Sequence, residues 1–357
     1  MSLFSAKNKP LVGVDIGQSS IKLVELSHSA SRNAASFRLE RFGLGPVPAG
    51  TINGRHVTDA TALGKALRGV LKASGIKARR AAVAVAGSAV ITKQLTLPAG
   101  LGQREMEALV QLEADQYIPY SLDEVKIDFE VLGPTSGTTE NVDVLLAACH
   151  SEIVDERVAV LRAAGLEPAV VDVEAFAIEN ACENLADEWN AVGPEAVAIA
   201  DIGAHTTSVI VVQNGRVIYT REQNIGGARL TEDIQHRYHY EPEQAEAAKR
   251  DGNLPENYEA QVQAPFLDAV AQEIRGALQF YHAAGSGEDV GAVWLVGGCA
   301  AAPDLARMVS QYAGVPARVF NPFANLRMAP QVEASRLKEA APSLAVACGL
   351  ALRRFDA

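Results

Sequence analysis

The hydrophobic pattern of this chain repeats one motif twice. Val12-Gly-Val-Asp-Ile-Gly-Gln-Ser-Ser-Ile-Lys-Leu-Val-Glu-Leu26 and Ala198-Ile-Ala-Asp-Ile-Gly-Ala-His-Thr-Thr-Ser-Val-Ile-Val-Val212 each read as an apolar run, Asp-Ile-Gly, small polar residues and a second apolar run. Short apolar runs bounded by turn residues predict buried strands. Repetition of such a strand-turn-strand half a chain later implies two related lobes facing each other across a phosphate site. One copy alone would carry little, because Asp-Gly hairpins are common; the second copy makes a purely structural turn the weaker reading.

Around the first motif the pattern predicts strands at Leu11 to Asp15, Ile21 to Leu26 and near Ser36 to Leu44, then a helix from Thr58 to Ser74. Ala81 to Leu97 is β-rich. Gln103 to Gln116 has helical apolar spacing through Met106, Leu109, Val110 and Leu112, and Ile118-Pro119-Tyr120 ends it. Strands follow at Val125 to Leu132 and Val142 to Cys149, so residues 81–150 read as a β-α-β-β insert between residues 1–80 and 151–193 of the first lobe. A helix from Glu152 to Ala164 closed by Gly165, a strand at Ala169 to Val173 and a helix from Glu174 to Glu188 complete that lobe, and Gly193-Pro194 marks the passage to the second, residues 194–357.

In the second lobe, Asn214-Gly215 between the runs Thr207 to Val212 and Arg216 to Arg221 is a strong hairpin signal. Beyond Gly226-Gly227 the chain reads as helical to Arg237, from Glu243 to Lys249 and from Tyr258 to His282. It ends with a strand at Ala292 to Val296, Gly297-Gly298, a helix begun at Pro303 and a last helix from Ser343 to Arg353.

Composition narrows the function classes. With 357 residues, 48% hydrophobic and 21% charged, the chain can bury a full core in about two domains. A net charge of -11 without a long Lys/Arg block excludes an electrostatic nucleic-acid footprint. Ala81 to Ile91, the longest candidate for a membrane span, is too short, and Met1 to Pro10 lacks a signal-peptide core, which predicts a cytosolic protein. Cys149, Cys182, Cys299 and Cys348 are dispersed and read as reduced core residues. His236, His239 and Glu241 have helix-compatible spacing but read as a surface cluster, not a metal site.

The residue types of the repeated turns suit a phosphate. Gly17 and Gly203 allow a tight turn and close approach of a ligand, and Ser19, Ser20, Thr206 and Thr207 add hydroxyls beside backbone N–H groups. Asp15 and Asp201 would repel a naked triphosphate. They make sense with Mg²⁺ and its waters between carboxylate and phosphate.

The order Asp15 turn, Asp201 turn, Glu246-Ala-Ala-Lys249 and Leu295-Val-Gly-Gly-Cys299 resembles the ATPase fold shared by actin, chaperone ATPases, sugar kinases and FtsA. Ala82 to Thr92, Glu113-Ala-Asp-Gln-Tyr-Ile-Pro-Tyr120, Val171-Asp-Val-Glu-Ala-Phe176 and Leu344 to Leu352 are similar to segments particular to the PilM family of type IV pilus assembly. The resemblance spans nearly the whole chain. It implies an α/β, actin-like ATPase fold: two lobes with a duplicated RNase H-like core and an FtsA-like 1C subdomain, here residues 81–150, inserted in the first.

The resemblance also implies roles for residues. Gly17, Gln18, Ser19 and Ser20 would form the first phosphate loop and Gly203, Ala204, His205 and Thr206 the second, with His205 an incidental loop residue. Lys22 matches a phosphate-contacting lysine; its other reading is a solvent-facing hairpin residue. Glu246 and Lys249 match a pair that brackets the ribose, although such pairs are often plain helix salt bridges. Gly297, Gly298 and Cys299 would leave bare backbone for adenine or simply turn the chain, and Gly226 and Gly227 would begin a helix flanking the nucleotide. Glu174 stands where actin positions the attacking water, or is only an acid favoured by a helix N-terminus.

The cofactors implied are therefore ATP or ADP with Mg²⁺, held by Asp15 and Asp201 through water, with at most slow hydrolysis. The partner implied is the N-terminal cytoplasmic segment of PilN, bound in a groove between subdomains 1A and 1C, which would bring the protein to the inner membrane beside other pilus-complex proteins. Leu350 to Phe355 is too short for a membrane anchor and reads as part of the last helix. A pilus motor ATPase or adaptor and self-association stay open, as does the rival reading of a small-molecule kinase. The aliphatic insert, with Val83, Val85, Val90, Ile91, Leu97, Val142, Val144 and Leu145, favours a peptide surface over a polar substrate pocket, or is subdomain core.

Overall fold

The computed structural model describes residues 9–31, 34–135, 137–183, 196–285 and 288–355, with residues 29–31, 34–36 and 183 described by their backbone alone. Residues 1–8 of the N-terminal segment, the expected helix end at 184–188 and Gly193-Pro194 lie outside the described residues.

The first lobe contains β1 (Leu11–Ile16), β2 (Ser20–Ser31), β3 (Ala34–Pro46), the short pair β4 (Ile52–Asn53) and β5 (His56–Val57), α1 (Ala60–Ser74), β6 (Arg80–Val85), β7 (Val90–Pro98), α2 (Gln103–Tyr117), β8 (Val125–Pro134), β9 (Asn141–His150), α3 (Ser151–Ala164), β10 (Glu167–Val173) and α4 (Glu174–Glu183). The second contributes β11 (Ala196–Ile202), β12 (Thr207–Gln213), β13 (Arg216–Gln223), α5 (Gly227–Tyr238), α6 (Pro242–Asp251), α7 (Ala264–Ala283), β14 (Val290–Val296), α8 (Leu305–Ala313) and β15 (Ala317–Val319). Then come β16 (Arg327–Met328), α9 (Ala334–Ala340) and α10 (Ala345–Leu352).

The duplication read from the sequence extends to topology. One sheet has the order β10-β6-β1-β2-β3-β16 and the other β13-β12-β11-β14-β15. In each, three antiparallel strands follow one another and two parallel strands extend the other side. All six residues of β1 are buried, because helices cover both faces of its sheet. Each large aliphatic side chain so enclosed contributes roughly 1.5–3 kcal/mol.

Asp59 caps α1, accepting from the N–H groups of Thr61 and Ala62, and Gly75 closes it in the left-handed conformation. α1 and α3 pack on one face of the first sheet. Gly64 lets them approach, since a Cβ there would stand 2.5 Å from that of Ala163.

On the inner faces, α4 and α10 lie in one core with both sheets. Ala177, Ile178 and Cys182 of α4 and Ala345, Val346 and Leu350 of α10 join Leu11 and Ala82 of the first sheet and Val197, Ile199 and Trp294 of the second. Small residues set this spacing: a side chain at Gly13 would overlap the Ala347 carbonyl, and one at Gly349 the Ala177 carbonyl. Arg353 anchors the end of α10 through bonds of 2.6 and 3.0 Å to Asp172, and Phe355 packs on Phe37. Leu350 to Phe355 therefore belongs to the fold.

Three expectations shift. The β-rich run 81–97 divides at a 3₁₀ turn, Gly87–Ala89; β6 joins the large sheet between β1 and β10, and only β7 belongs to the insert. The insert sheet, β7-β9-β8, thus begins at Val90 rather than at residue 81. Secondly, β16 pairs with β3 and α10 packs on the first sheet, so the chain past Arg327 returns to the first lobe, where the sequence reading assigned it all to the second. Finally, the helix expected from Tyr258 opens as a π-helical turn, Glu259–Gln263, before α7, with Pro265 in the first turn of α7.

Candidate functional site: the interlobe cleft and the insert groove

The two Asp-Ile-Gly turns adopt one geometry. Gly17 N–H donates to the Ser20 carbonyl at 3.1 Å and Gly203 N–H to that of Thr206 at 2.9 Å. Asp15 and Asp201 end their strands in equivalent registers, opposite Lys22 and Ser208. Gln18, Ser19 and His205 are exposed at the turn tips. Gln18 reaches the Gly54 carbonyl, and Ser19 accepts from Val47 N–H through its own carbonyl. Thr207 differs from the expectation: it is fully buried and its hydroxyl donates to the Ile225 carbonyl at 2.8 Å, so it offers nothing to a ligand.

Charge collects between the turns. Lys22 Nζ lies 2.8 Å from Asp15 Oδ2, so Lys22 turns inward rather than to solvent. Burial opposes its charge, yet Asp15 holds its pKa above the ordinary lysine value. Burial, with Asp15 adding to it against the pull of Lys22, raises Asp201 to about 6. Glu174, at the start of α4, is raised to about 8 by burial, then by Asp15 and Asp201, while Arg157 and Lys22 pull the other way. Neutral at pH 7, Glu174 is a proton carrier rather than a ready base.

At the other end, Glu246 and Lys249 lie on one face of α6, 2.6 Å apart. Thr231 joins them: its hydroxyl donates to Glu246 at 2.7 Å and accepts from Lys249 at 2.6 Å, and Lys249 also donates to the Gly227 carbonyl. Partial burial works against the Glu246 charge, but the Lys249 and Thr231 hydrogen bonds hold its carboxyl below the usual value.

The glycines divide the work. Gly227 and Ala228 donate their N–H groups to the carbonyls of Gly203 and Ala204, so the N-terminus of α5 braces the second loop, and a Cβ at Gly226 would strike those carbonyls. Gly297, with φ of +95°, packs against Asp201 and Ile202, whereas Gly298 faces open space. Gly298 is the bare backbone a flat base could lie on. Cys299 is half-buried beside Gly227, and desolvation there pushes its thiol up.

The structure adds residues that sequence reading did not select. Arg157 of α3 is 5% exposed and lies in the field of Glu174, Glu156 and Asp15. Its signal was its place on the buried stripe Ile153, Arg157, Val160, Leu161, Ala164. Thr231 stands one turn after Gly227 on α5. Among the described residues no group of three or more His, Cys, Asp or Glu could hold a metal ion directly. A cation in the cleft would need waters and phosphate oxygens as further ligands.

A groove of about 110 Å³ runs where the insert meets the first lobe. Val90 and Ile91 of β7, Tyr120, His150, Ile153 of α3 and Arg55 line it, with the Tyr120 and His150 rings 4.1 Å apart. Leu97 and Val144 instead fill the core between the insert sheet and α2, and Val83 and Val85 belong to the large sheet. The aliphatic content of the insert is thus mostly core, and only Val90 and Ile91 of that set face the groove. Ser88, at its rim, donates to Glu222 of β13 at 2.7 Å and so ties the groove to the second lobe.

Two duplicated α/β lobes, joined by helices and facing each other with matching Asp-Ile-Gly turns, define the actin-like fold. Ethanolamine utilization protein EutJ from Carboxydothermus hydrogenoformans shares that fold, with 18% identity over 96% of this chain and 88% of its own at a TM-score of 0.56. The family described as type IV pilus assembly protein PilM matches residues 13–355, and the chain belongs to it. A chain solved in a PilM-PilN type IV pilus biogenesis complex is 30% identical, covers 98% of this chain and 100% of its own, and has a TM-score of 0.82. This membership, rather than the composition of the insert, decides against a small-molecule kinase. Among the described residues no helix is long and apolar enough to cross a membrane.

Proposed function

We propose that this chain is a nucleotide-responsive assembly protein of the type IV pilus, binding Mg²⁺ with ATP or ADP in the interlobe cleft and the N-terminal cytoplasmic segment of PilN in the groove between insert and first lobe. The observation that carries the reading is a groove at that junction in a chain similar over its full length to one solved in a PilM-PilN complex. Its partner would bring the protein to the inner membrane, where other proteins of the complex become accessible to it.

The cleft residues fit a nucleotide. Backbone N–H groups of the two loops would face the phosphates, Lys22 would supply a point charge, and Asp15 and Asp201 would hold Mg²⁺ through water. The Thr231, Glu246 and Lys249 cluster offers both donors and acceptors to ribose hydroxyls, and Gly298 leaves room for the base. Mg²⁺ would screen the phosphate charge against the two aspartates. A neutral Glu174 supports slow turnover, since it accepts no proton from water until it has lost its own.

Fluorescence anisotropy of a labelled PilN N-terminal peptide, titrated with the full chain with and without Mg-ATP, tests the reading. Saturable binding whose affinity changes with nucleotide is expected. A peptide that fails to bind, or that binds equally well after Ile91 and Tyr120 are both replaced by alanine, would overturn the groove assignment.

A further inference from the structure

We propose that Arg157 recognises the terminal phosphate in the interlobe cleft and so distinguishes a nucleoside triphosphate from a diphosphate. This rests on the nucleotide reading above. Arg157 sits in the middle of α3 on its buried face, where an aliphatic residue would pack without polar cost. Its Nε and Nη1 are buried and have no hydrogen-bond partner, and Nη2 makes only a 3.4 Å bond to the Arg55 carbonyl. A buried guanidinium with unmet donors is costly unless a ligand completes it.

Nearby carboxylates do not meet the need. Asp15 is taken by Lys22. Glu156 accepts from Val57 N–H at 2.8 Å and pairs with His56. Glu174 makes no hydrogen bond to Arg157 and is itself raised by its burial beside two aspartates. Two guanidinium nitrogens are therefore left without partners, among carboxyls that are either committed elsewhere or protonated.

Contacts give the order of groups along the cleft. Lys249 holds the Gly227 carbonyl, Gly227 abuts Cys299 and Gly297 abuts Asp201; Lys22 pairs with Asp15 beside the first loop, and Gln18 of that loop and Arg157 donate to the adjacent carbonyls of Gly54 and Arg55. Arg157 is thus at the end opposite the Glu246–Lys249 pair. With adenosine at that pair, the phosphate chain would run toward the first loop, and its last group would be the one nearest Arg157. A guanidinium suits the task, because it remains charged when buried and presents several donors to phosphate oxygens.

The test uses the full chain and the variants Arg157→Met and Arg157→Lys, with Mg-ADP and the non-hydrolysable triphosphate Mg-AMPPNP as probes in isothermal titration calorimetry. Wild type should prefer the triphosphate. Arg157→Met should weaken AMPPNP by about 10- to 100-fold, the loss expected for a charge-assisted contact, and ADP by less than about threefold. Arg157→Lys should fall between, and it retains a cation should the methionine variant unfold. Equal losses for both nucleotides, or unchanged AMPPNP affinity in a variant with wild-type thermal stability, overturn the proposal while leaving the nucleotide reading standing. Wild-type protein that binds neither nucleotide overturns both.

Discussion

Replacing Glu174 by glutamine should stabilise this protein, by an amount that grows with pH. Glu174 faces Asp15 on β1, Asp201 on β11, Lys22 on β2 and Arg157 on α3, and the balance raises its pKa from 4.5 to about 8. An acid with a raised folded-state pKa holds its proton more tightly in the fold than in the unfolded chain. Its stabilising proton is fully retained below the unfolded value, and stability is lost as pH rises through the folded value.

At 1.36 kcal/mol per pH unit, this penalty has a ceiling of about 3 kcal/mol at pH 7 and about 4–5 kcal/mol above pH 8. Water entering the cleft to solvate the charge relieves part of it, so a gain of about 2 kcal/mol at pH 8.5 is the expected outcome for Glu174→Gln. Asp201, raised to about 6, titrates in both proteins and cancels in the comparison. Urea unfolding of both proteins between pH 4.5 and 9 reads the difference directly. The curves should nearly coincide at pH 4.5, diverge as pH rises toward about 8 and level off at a constant gap beyond it. Parallel curves would refute the reasoning, because they would mean that Glu174 is no harder to ionise in the fold than in the unfolded chain.

Other outcomes follow from particular contacts. Gly349→Ala should destabilise by at least about 3 kcal/mol in chemical denaturation, since its Cβ would overlap the Ala177 carbonyl and neither helix backbone can yield locally. Gly297→Ala should lower Mg-ADP affinity about tenfold in calorimetry, because a Cβ 2.5 Å from Asp201 Oδ1 displaces that carboxylate and φ of +95° is strained for alanine. Tyr120→Ala, at a side chain 45% exposed, should weaken PilN-peptide binding about tenfold in anisotropy and leave nucleotide affinity unchanged. Glu222→Gln weakens the Ser88 tie; it should reduce the effect of Mg-ATP on peptide affinity while leaving peptide affinity without nucleotide unaltered.

The parts legible in the sequence were those written in local pattern. Two Asp-Ile-Gly turns between apolar runs gave the duplicated core, and Asn214-Gly215 gave the β12–β13 hairpin. Parts set by long-range packing were not legible. Nothing local distinguishes β6 from β7, yet they join different sheets, and the tiny strand β16 acquires meaning only by pairing with β3. The apolar run of α10 announces burial without saying what covers it. In the site, Lys22 was visible through the family resemblance at its place after Asp15, while Arg157 was hidden because arginine on a helix ordinarily points to water. Thr207 misled for the opposite reason: a hydroxyl beside a phosphate loop looks available, and only tertiary structure commits it to Ile225.

The position of α10 has a consequence for biosynthesis. This helix lies against β1, among the earliest strands to leave the ribosome, yet is itself made only after the whole second lobe. Until residues 345–352 emerge and dock, the first sheet has an uncovered apolar face and α4 lacks its packing partner. The first lobe therefore cannot finish folding as a separate unit during translation, and a nascent chain paused anywhere between α4 and α10 displays the surface that chaperones and proteases recognise.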